Sequence, residues 1–289
     1  MTRQTTILLT SILTLSAWFL TGCGEQELSF LPPNPPTSIS SFGERWEKGE
    51  QIGVFALDDR GNLVYSNLCY EATDEGKEVG FEPIGKGNEV MIPRNERMKV
   101  FAYAPYQPDW QMTGHVFRVQ TWSYSANTNN NLRCTSIQEI SSASNMAKLS
   151  FRHPFSQLRA EISAKADGGY KATDLEGLTA KLIGMSCPVQ YDLQTGEISY
   201  GDMQDEEILC NVSVNGQQLD IIIPPETKGG HHPQDRQLVI ELKKGKKATY
   251  PIPKDHVFEA GKSYHWKILL AKDGTPDVEE EKADNSEIL

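Results

Sequence analysis

Histidines, cysteines and paired carboxylates are the residues here that could do chemistry, and their spacing decides which chemistry is open to them. Six histidines are present, two of them adjacent in Lys228-Gly229-Gly230-His231-His232-Pro233. A transition-metal site needs three or four converging ligands, and no third ligand stands near this pair. His153 precedes Pro154 at the end of an alternating run and reads as structural. Asp58-Asp59 and Glu206-Glu207 are adjacent carboxylates. Neighbouring residues of an extended chain face opposite sides, so neither pair makes an acid–base couple. Asp202-Met203-Gln204-Asp205-Glu206-Glu207 could hold Ca²⁺ loosely but lacks EF-hand spacing. No Gly-x-Ser-x-Gly, His-Glu-x-x-His, phosphate-binding loop or dinucleotide fingerprint occurs. The expectation is a non-catalytic chain with no cofactor and no metal.

The chemistry that does stand out is at Cys23. Met1-Thr2-Arg3-Gln4 supplies one positive charge, and Ile7 to Leu20 is then apolar apart from Thr and Ser. At about 14 residues the stretch is short of the ~20 a membrane-spanning helix needs, but it suits the h-region of an export signal. It ends in Leu20-Thr21-Gly22-Cys23, which resembles the lipobox of bacterial lipoproteins. The resemblance implies cleavage between Gly22 and Cys23 and acylation of Cys23. Each buried CH₂ of an acyl chain contributes ~0.8 kcal/mol, so two or more chains anchor durably. Gly24-Glu25-Gln26-Glu27 resembles the surface-export signals of Bacteroidetes lipoproteins. No later segment is apolar for long enough to span a bilayer.

Cys69, Cys134, Cys187 and Cys210 remain. Outside the cytoplasm they could form two disulfides, in any of three pairings, or stay as buried thiols. No Cys-x-x-Cys spacing supports zinc.

The chain has 289 residues, 38% of them hydrophobic and 23% charged, which is enough apolar material for real cores. Basic residues number 28 against 39 acidic, a net charge of −11. Nucleic acid is therefore a poor partner, because its phosphates would be repelled.

The elements that must position these residues alternate with a period of two. Leu158, Ala160, Ile162, Ala164 and Ala166 share one face, with Gln157, Arg159, Glu161, Ser163 and Lys165 on the other. Tyr264, Trp266, Ile268 and Leu270 repeat the pattern, as do Leu219, Ile221 and Ile223, and Leu238, Ile240 and Leu242. Runs at 52–56, 98–104 and 115–122 complete the first half. Asp58-Asp59-Arg60-Gly61-Asn62, Asp192 to Glu197 and Asn215-Gly216 read as hairpin turns. Short helical turns are conceivable only at 135–146 and 205–210. The pattern predicts an all-β protein of two tandem antiparallel sandwiches. The expected plan is a signal at 1–22, a Pro-stiffened tether at 23–42, domains at 43–167 and 168–272, and a solvated acidic tail at 273–289.

Four separated motifs carry a family resemblance. Trp46-Glu47-Lys48-Gly49-Glu50-Gln51-Ile52-Gly53-Val54-Phe55 resembles the "W-x-x-G-D-x-I-G-V" opening of Bacteroidales fimbrillin-like (Mfa-like) proteins, with Glu50 in place of the usual Asp. Phe101-Ala102-Tyr103-Ala104-Pro105-Tyr106 is similar to their "A-Y-x-P-Y" strand end. Leu149-Ser150-Phe151-Arg152-His153-Pro154-Phe155-Ser156-Gln157-Leu158 resembles "F-x-H-x-x-S-x-L", and Gly261-Lys262-Ser263-Tyr264-His265-Trp266 resembles "G-K-x-Y-x-Y". The resemblance implies transthyretin-like β-sandwiches, an outer-membrane lipid anchor, and assembly with other fimbrial subunits by strand exchange after Arg-directed proteolysis. Arg45, between spacer and Trp46, is the natural cleavage position; Arg60, Arg94 and Arg97 also lie in expected loops.

Host or bacterial surface ligands would be the remaining partners. Trp110, Phe117, Trp122 and Tyr124 could stack on sugars, beside the polar loop Tyr124 to Asn131. A surface glycan-binding lipoprotein is accordingly the alternative reading, although such aromatics more often pack in a core. Asn211-Val212-Ser213 fits the glycosylation pattern but falls within a strand pattern.

Overall fold

The computed structural model describes residues 34–108, 116–119, 132–165, 170–185, 189–200, 207–226, 236–243, 245–271 and 273–284. Among these, the strands in chain order are β1 (Ser38–Trp46), β2 (Gln51–Leu57), β3 (Leu63–Ala72), β4 (Gly76–Pro83), β5 (Arg97–Ala104), β6 (Val116–Val119) and β7 (Arg133–Thr135). Next come β8 (Gln138–Ser141), β9 (Met146–Arg152), β10 (Ser156–Ala164), β11 (Thr179–Ile183), β12 (Val189–Asp192), β13 (Ile198–Tyr200) and β14 (Ile208–Leu209). The last are β15 (Asn211–Val212), β16 (Gln218–Ile223), β17 (Gln237–Glu241), β18 (Lys247–Pro251), β19 (Ser263–Leu270) and β20 (Asp277–Asp284). The protein is all-β, as the period-two patterning predicts.

The first sheet differs from an open sandwich. Its strands pair in the order β2-β3-β4-β1-β9-β7-β5-β8, and β2 pairs back on to β5. Seven strands thus close into a barrel-like ring, with β8 attached outside it on β5. Closure removes free edges. The pairing that closes it aligns Gly53 with Tyr103 and Phe55 with Phe101.

β2 and β5 are buried on both faces, which explains their near-continuous apolar sequence. Ile52, Val54 and Ala56 of β2, with Val100, Ala102 and Ala104 of β5, point into the ring core beside Trp46, Phe81 and Phe151. Phe55, Leu57, Phe101 and Tyr103 point the other way, into a second core. Phe55 and Phe101 stack there with centroids 5.2 Å apart.

That second core is built from the later strands. A five-stranded sheet runs β15-β16-β10-β19-β20 and a four-stranded one β14-β11-β17-β18; β13-β12-β6 forms a third. Leu158, Ala160 and Ile162 of β10 and Tyr264, Trp266 and Ile268 of β19 join Leu182, Leu238 and Ile240 in one cluster. The alternation read from the sequence is the burial pattern observed in β10 and β19. Among the described residues two pairings are parallel, β1 with β9 and β10 with β19, in a protein expected to be mainly antiparallel. β10, placed in the first domain by the sequence, pairs with β16 and β19.

Three further expectations change. Residues 38–42, read as spacer, form the first half of β1. The 135–146 and 207–210 segments contain strands β8 and β14 rather than helical turns. The acidic tail is not a loose end: residues 277–284 form β20, paired antiparallel with β19, while Asp277, Glu279, Glu280 and Glu281 stay exposed to solvent. The three turns are as expected; Asp58 Oδ1, for example, accepts from the backbone N–H of Arg60 at 2.9 Å and of Asn62 at 2.8 Å.

Candidate functional site: the slot of the first strand

β1 lies inside the ring, antiparallel to β4 on one side and parallel to β9 on the other. The chain leading into it is held by backbone and amide bonds rather than by apolar contact. The Asn34 side-chain amide donates to Ile92 O at 2.6 Å, and Thr37 N donates to Val90 O at 2.8 Å. The Asn145 amide, on a residue with φ of 41°, donates to Pro35 O at 2.9 Å and Pro36 O at 2.8 Å.

Two side chains of β1 ahead of Arg45 point into the core. Ile39 sits between Phe81 of β4 and Ala147 of β9; Ser41 sits between Val79 and Leu149. Ser41 is 3% exposed and its hydroxyl has no hydrogen-bond partner. Phe42 points outward and is 44% exposed. Pairing with β4 loses register between Phe42 and Trp46. Gly43 there has φ of +97°, a conformation that side chains resist. Arg45 follows, exposed, at the end of this irregular stretch.

Trp46 fixes the chain again. It is fully buried, edge-on to Phe81 at 5.0 Å and to Phe151 at 4.8 Å. Arg133 of β7 covers its face at 3.9 Å, donates to Arg45 O at 3.2 Å and pairs with Glu50 Oε1 at 2.8 Å. The segment before Arg45 is therefore weakly bound by side chains, and the residue after it is clamped. Strand exchange at four or five apolar side chains would give roughly 8–10 kcal/mol. Here Ile39 is the one fully inward aliphatic of the segment, contributing about 2–3 kcal/mol, and ladder bonds supply the rest.

The motifs noted in the sequence meet one another. A Cβ on Gly53 would lie 2.2 Å from the Tyr103 ring, so only glycine lets the second motif pack on the first. Phe151 of the third motif touches Trp46 of the first. Gly261 of the fourth donates from its backbone to Phe155 O of the third at 2.9 Å. His153 is buried among these contacts; burial pushes its imidazole down to about 4, and the Arg133 guanidinium adds to the effect.

Other candidates take structural parts or fall elsewhere. Gly22, Cys23, Cys187, His231, His232, Trp110, Trp122 and Tyr124 lie outside the described residues, and so does the side chain of Phe117. Cys69, Cys134 and Cys210 are free thiols. Burial raises all three, Cys134 to about 11. Glu207 pairs with Lys181 at 2.6 Å. Among the described residues no group of three His, Cys, Asp or Glu is placed to hold a metal, and no helix is long and apolar enough to cross a membrane.

Sequence reasoning missed a groove of about 530 Å³ on the five-stranded sheet, lined by Glu161, Gln218, Lys267, Leu269 and Glu279 among others. It also missed the contact of β20 with His256, whose Nδ1 lies 3.2 Å from Glu280 Oε2. Burial pushes His256 down to about 4, with Arg236 adding to it, and raises Glu280. An exposed carboxylate facing His256, on a strand that also carries Asp277, Glu279 and Glu281, gives no apolar alternation to read.

The geometry defines a class: an all-β protein whose first sheet closes into a ring, with the first strand held between β4 and β9. The chain belongs to the fimbrillin-like family, whose sequence pattern matches residues 39–288. No curated protein matches it. It is similar in fold to a candidate cell-adhesion protein from Bacteroides uniformis ATCC 8492, at 18% identity over 88% of this chain and 99% of that one, TM-score 0.73. A second such protein, from Bacteroides ovatus ATCC 8483, is 16% identical over 88% and 98%, TM-score 0.66. A fimbrial protein from Bacteroides vulgatus ATCC 8482 is 12% identical over 86% and 99%, TM-score 0.53.

Proposed function

We propose that this protein is a non-catalytic fimbrial subunit, tip or anchor of the cell surface, moored to the outer membrane by acyl chains on Cys23. It assembles with other subunits by exchange at the slot between β4 and β9 and contributes to adhesion. The observation that carries the reading is the position of Arg45. It is exposed at the irregular end of a strand bound by one inward aliphatic, directly before a clamped Trp46. Cleavage after Arg45 would free residues 38–45 while leaving the ring's aromatic lock in place. The slot would then present unpaired N–H and C=O groups on both walls, which an incoming strand satisfies. Backbone ladder bonds are worth about 1 kcal/mol apiece.

The test is N-terminal sequencing of surface-extracted protein, with electron microscopy of the same fraction. Chains beginning at Trp46 within filaments support the reading. Chains beginning only at lipidated Cys23, in a fraction without filaments, overturn the exchange. The glycan-binding alternative would use the groove on the five-stranded sheet, but its lining residues, Glu161, Gln218, Lys267 and Leu269 among them, supply no stacking ring. Thermal stabilisation by a polysaccharide would favour that alternative.

A further inference from the structure

The lysines of the four-stranded sheet divide into two kinds. On its outer face Lys181 lies 2.6 Å from Glu207 and Lys247 lies 2.6 Å from Glu241, so each charge is met by a carboxylate. The turn joining β17 to β18 differs. It reads Lys243-Lys244-Gly245-Lys246-Lys247, and adjacent basic residues occur nowhere else in a chain of net charge −11. Backbone bonds fix the turn: Leu242 N donates to Lys246 O and Gly245 N to Leu242 O, both at 2.8 Å, with Gly245 at φ of 77°. Lys244 lies outside the described residues; Lys243 and Lys246 are exposed, with no carboxylate partner among those described.

Both side chains are nevertheless placed. Lys243 passes over Gly177, where an added Cβ would lie 2.9 Å from the lysine Cε. The Lys246 ammonium lies 5.8 Å from the centre of the Tyr170 ring, which packs half-buried against the core. An aromatic face attracts an ammonium without cancelling its charge. The turn therefore presents positive charge at defined points, and Lys171, exposed next to Tyr170, adds to it.

We infer that this turn, with Tyr170 and Lys171 beside it, binds a linear anionic polysaccharide carrying carboxylate or sulfate groups along its length. Three observations select that class. The fixed carboxylates of a protein partner are met best by the planar fork of arginine, whereas the lysine ammonium is a hydrated point charge that takes anions from many directions; the turn has lysine alone. A protein interface also needs an apolar centre, and the flanking Leu242 and Ala248 are buried. A flat anionic membrane would press on Glu176 and Asp273 as well as on the lysines. Both are exposed, Glu176 next to Gly177 and Asp273 next to Gly274, which approaches Lys247 O. A single polymer chain can follow the lysines and avoid both. Elsewhere the acidic surface repels such a polymer and confines it to the turn. The site lies apart from the slot of β1 and concerns what the protein adheres to, whether or not subunits exchange strands.

The experiment titrates purified, uncut protein with labelled heparin and with polygalacturonate, using dextran as the uncharged control and phosphatidylglycerol vesicles as the membrane control. Expected are binding of an anionic polymer at low salt, weakening as salt rises, and no binding of dextran. Lys243→Gln with Lys246→Gln should lower the affinity at least tenfold, about 1.4 kcal/mol. Lys86→Gln with Lys267→Gln changes the net charge equally and should stay within about twofold of the parent. All four lysines are exposed, so both double variants should keep the parent's thermal midpoint. Lys243→Arg with Lys246→Arg should retain binding, which separates charge from fold. No binding of either polymer at low salt overturns the site. So does equal loss in the two glutamine variants, loss in the arginine variant as large as in its glutamine counterpart, or vesicle binding that depends on Lys243 and Lys246. None of these outcomes bears on cleavage at Arg45.

Discussion

The Arg133 guanidinium lies 3.9 Å from the centre of the Trp46 ring, and it is the same group that bonds to Arg45 O and to Glu50. One side chain on β7 thus spans the peptide bond that the proposed protease would cut. Arg133→Met should lower stability by about 2 kcal/mol, through loss of the cation–π contact and the partly buried ion pair. Denaturant unfolding checks this, and limited Arg-specific proteolysis of the variant should cut after Arg45 faster.

Gly53→Ala should be among the most damaging single changes in the ring. The added methyl would meet Tyr103 Cε1 at 2.2 Å and Asn67 Oδ1 at 2.5 Å. Tyr103 is fully buried and donates to Asn67 Oδ1 at 2.7 Å, so neither neighbour yields easily. Overpacking of this kind costs about 1–3 kcal/mol or more, read as a drop in the thermal midpoint.

Acid should weaken the fold before carboxylates matter. His153 and His256 hold pKa values of about 4 in the fold, against about 6.5 for an unfolded chain. Their neutral forms are favoured, so the stabilisation is complete above about pH 6.5 and declines as pH falls toward 4, by up to about 1.4 kcal/mol per pH unit for each group. Glu280, raised by burial, acts in the opposite sense. Unfolding midpoints at pH 7.5, 6 and 5 should fall in order, and a His153→Gln variant should flatten the decline.

Glu226 and Arg236 form an ion pair with side chains 4% and 2% exposed, and Arg236 also donates to Pro253 O at 2.9 Å and His256 O at 2.8 Å. Removing one partner leaves a buried charge. Glu226→Ala should cost about 3–5 kcal/mol, measured by denaturant unfolding.

Cys69, Cys134 and Cys210 should resist iodoacetamide at pH 8 in the folded protein and react once it is unfolded, as mass spectrometry of the three peptides would show. Burial raises each thiol, and the Cys134 thiol donates to the Tyr191 hydroxyl at 3.0 Å.

The legible parts of this fold were those with one wet and one dry face. Leu158, Ala160 and Ile162 announced β10, and Tyr264, Trp266 and Ile268 announced β19, because each alternates cleanly against polar neighbours. Ring closure was not legible: the pairing of Gly53 with Tyr103 is a tertiary choice, and the two-sided burial of β2 and β5 reads locally only as an apolar run. β1 was half hidden because its inward positions hold Ile39 and a serine, and β20 because the positions opposite Ile268 and Trp266 hold a half-buried Val278 and an exposed glutamate. At the candidate site, Arg45 and Trp46 were visible as motif residues; Arg133, distant in sequence, carried no signal linking it to them.

Because β1 has a bonded neighbour along each edge, a pull transmitted from residues ahead of Asn34 would reach the body as sliding against two strands at once. Many bonds would have to rupture together instead of peeling one after another. The load would fall on paired backbone instead of on a loose linker.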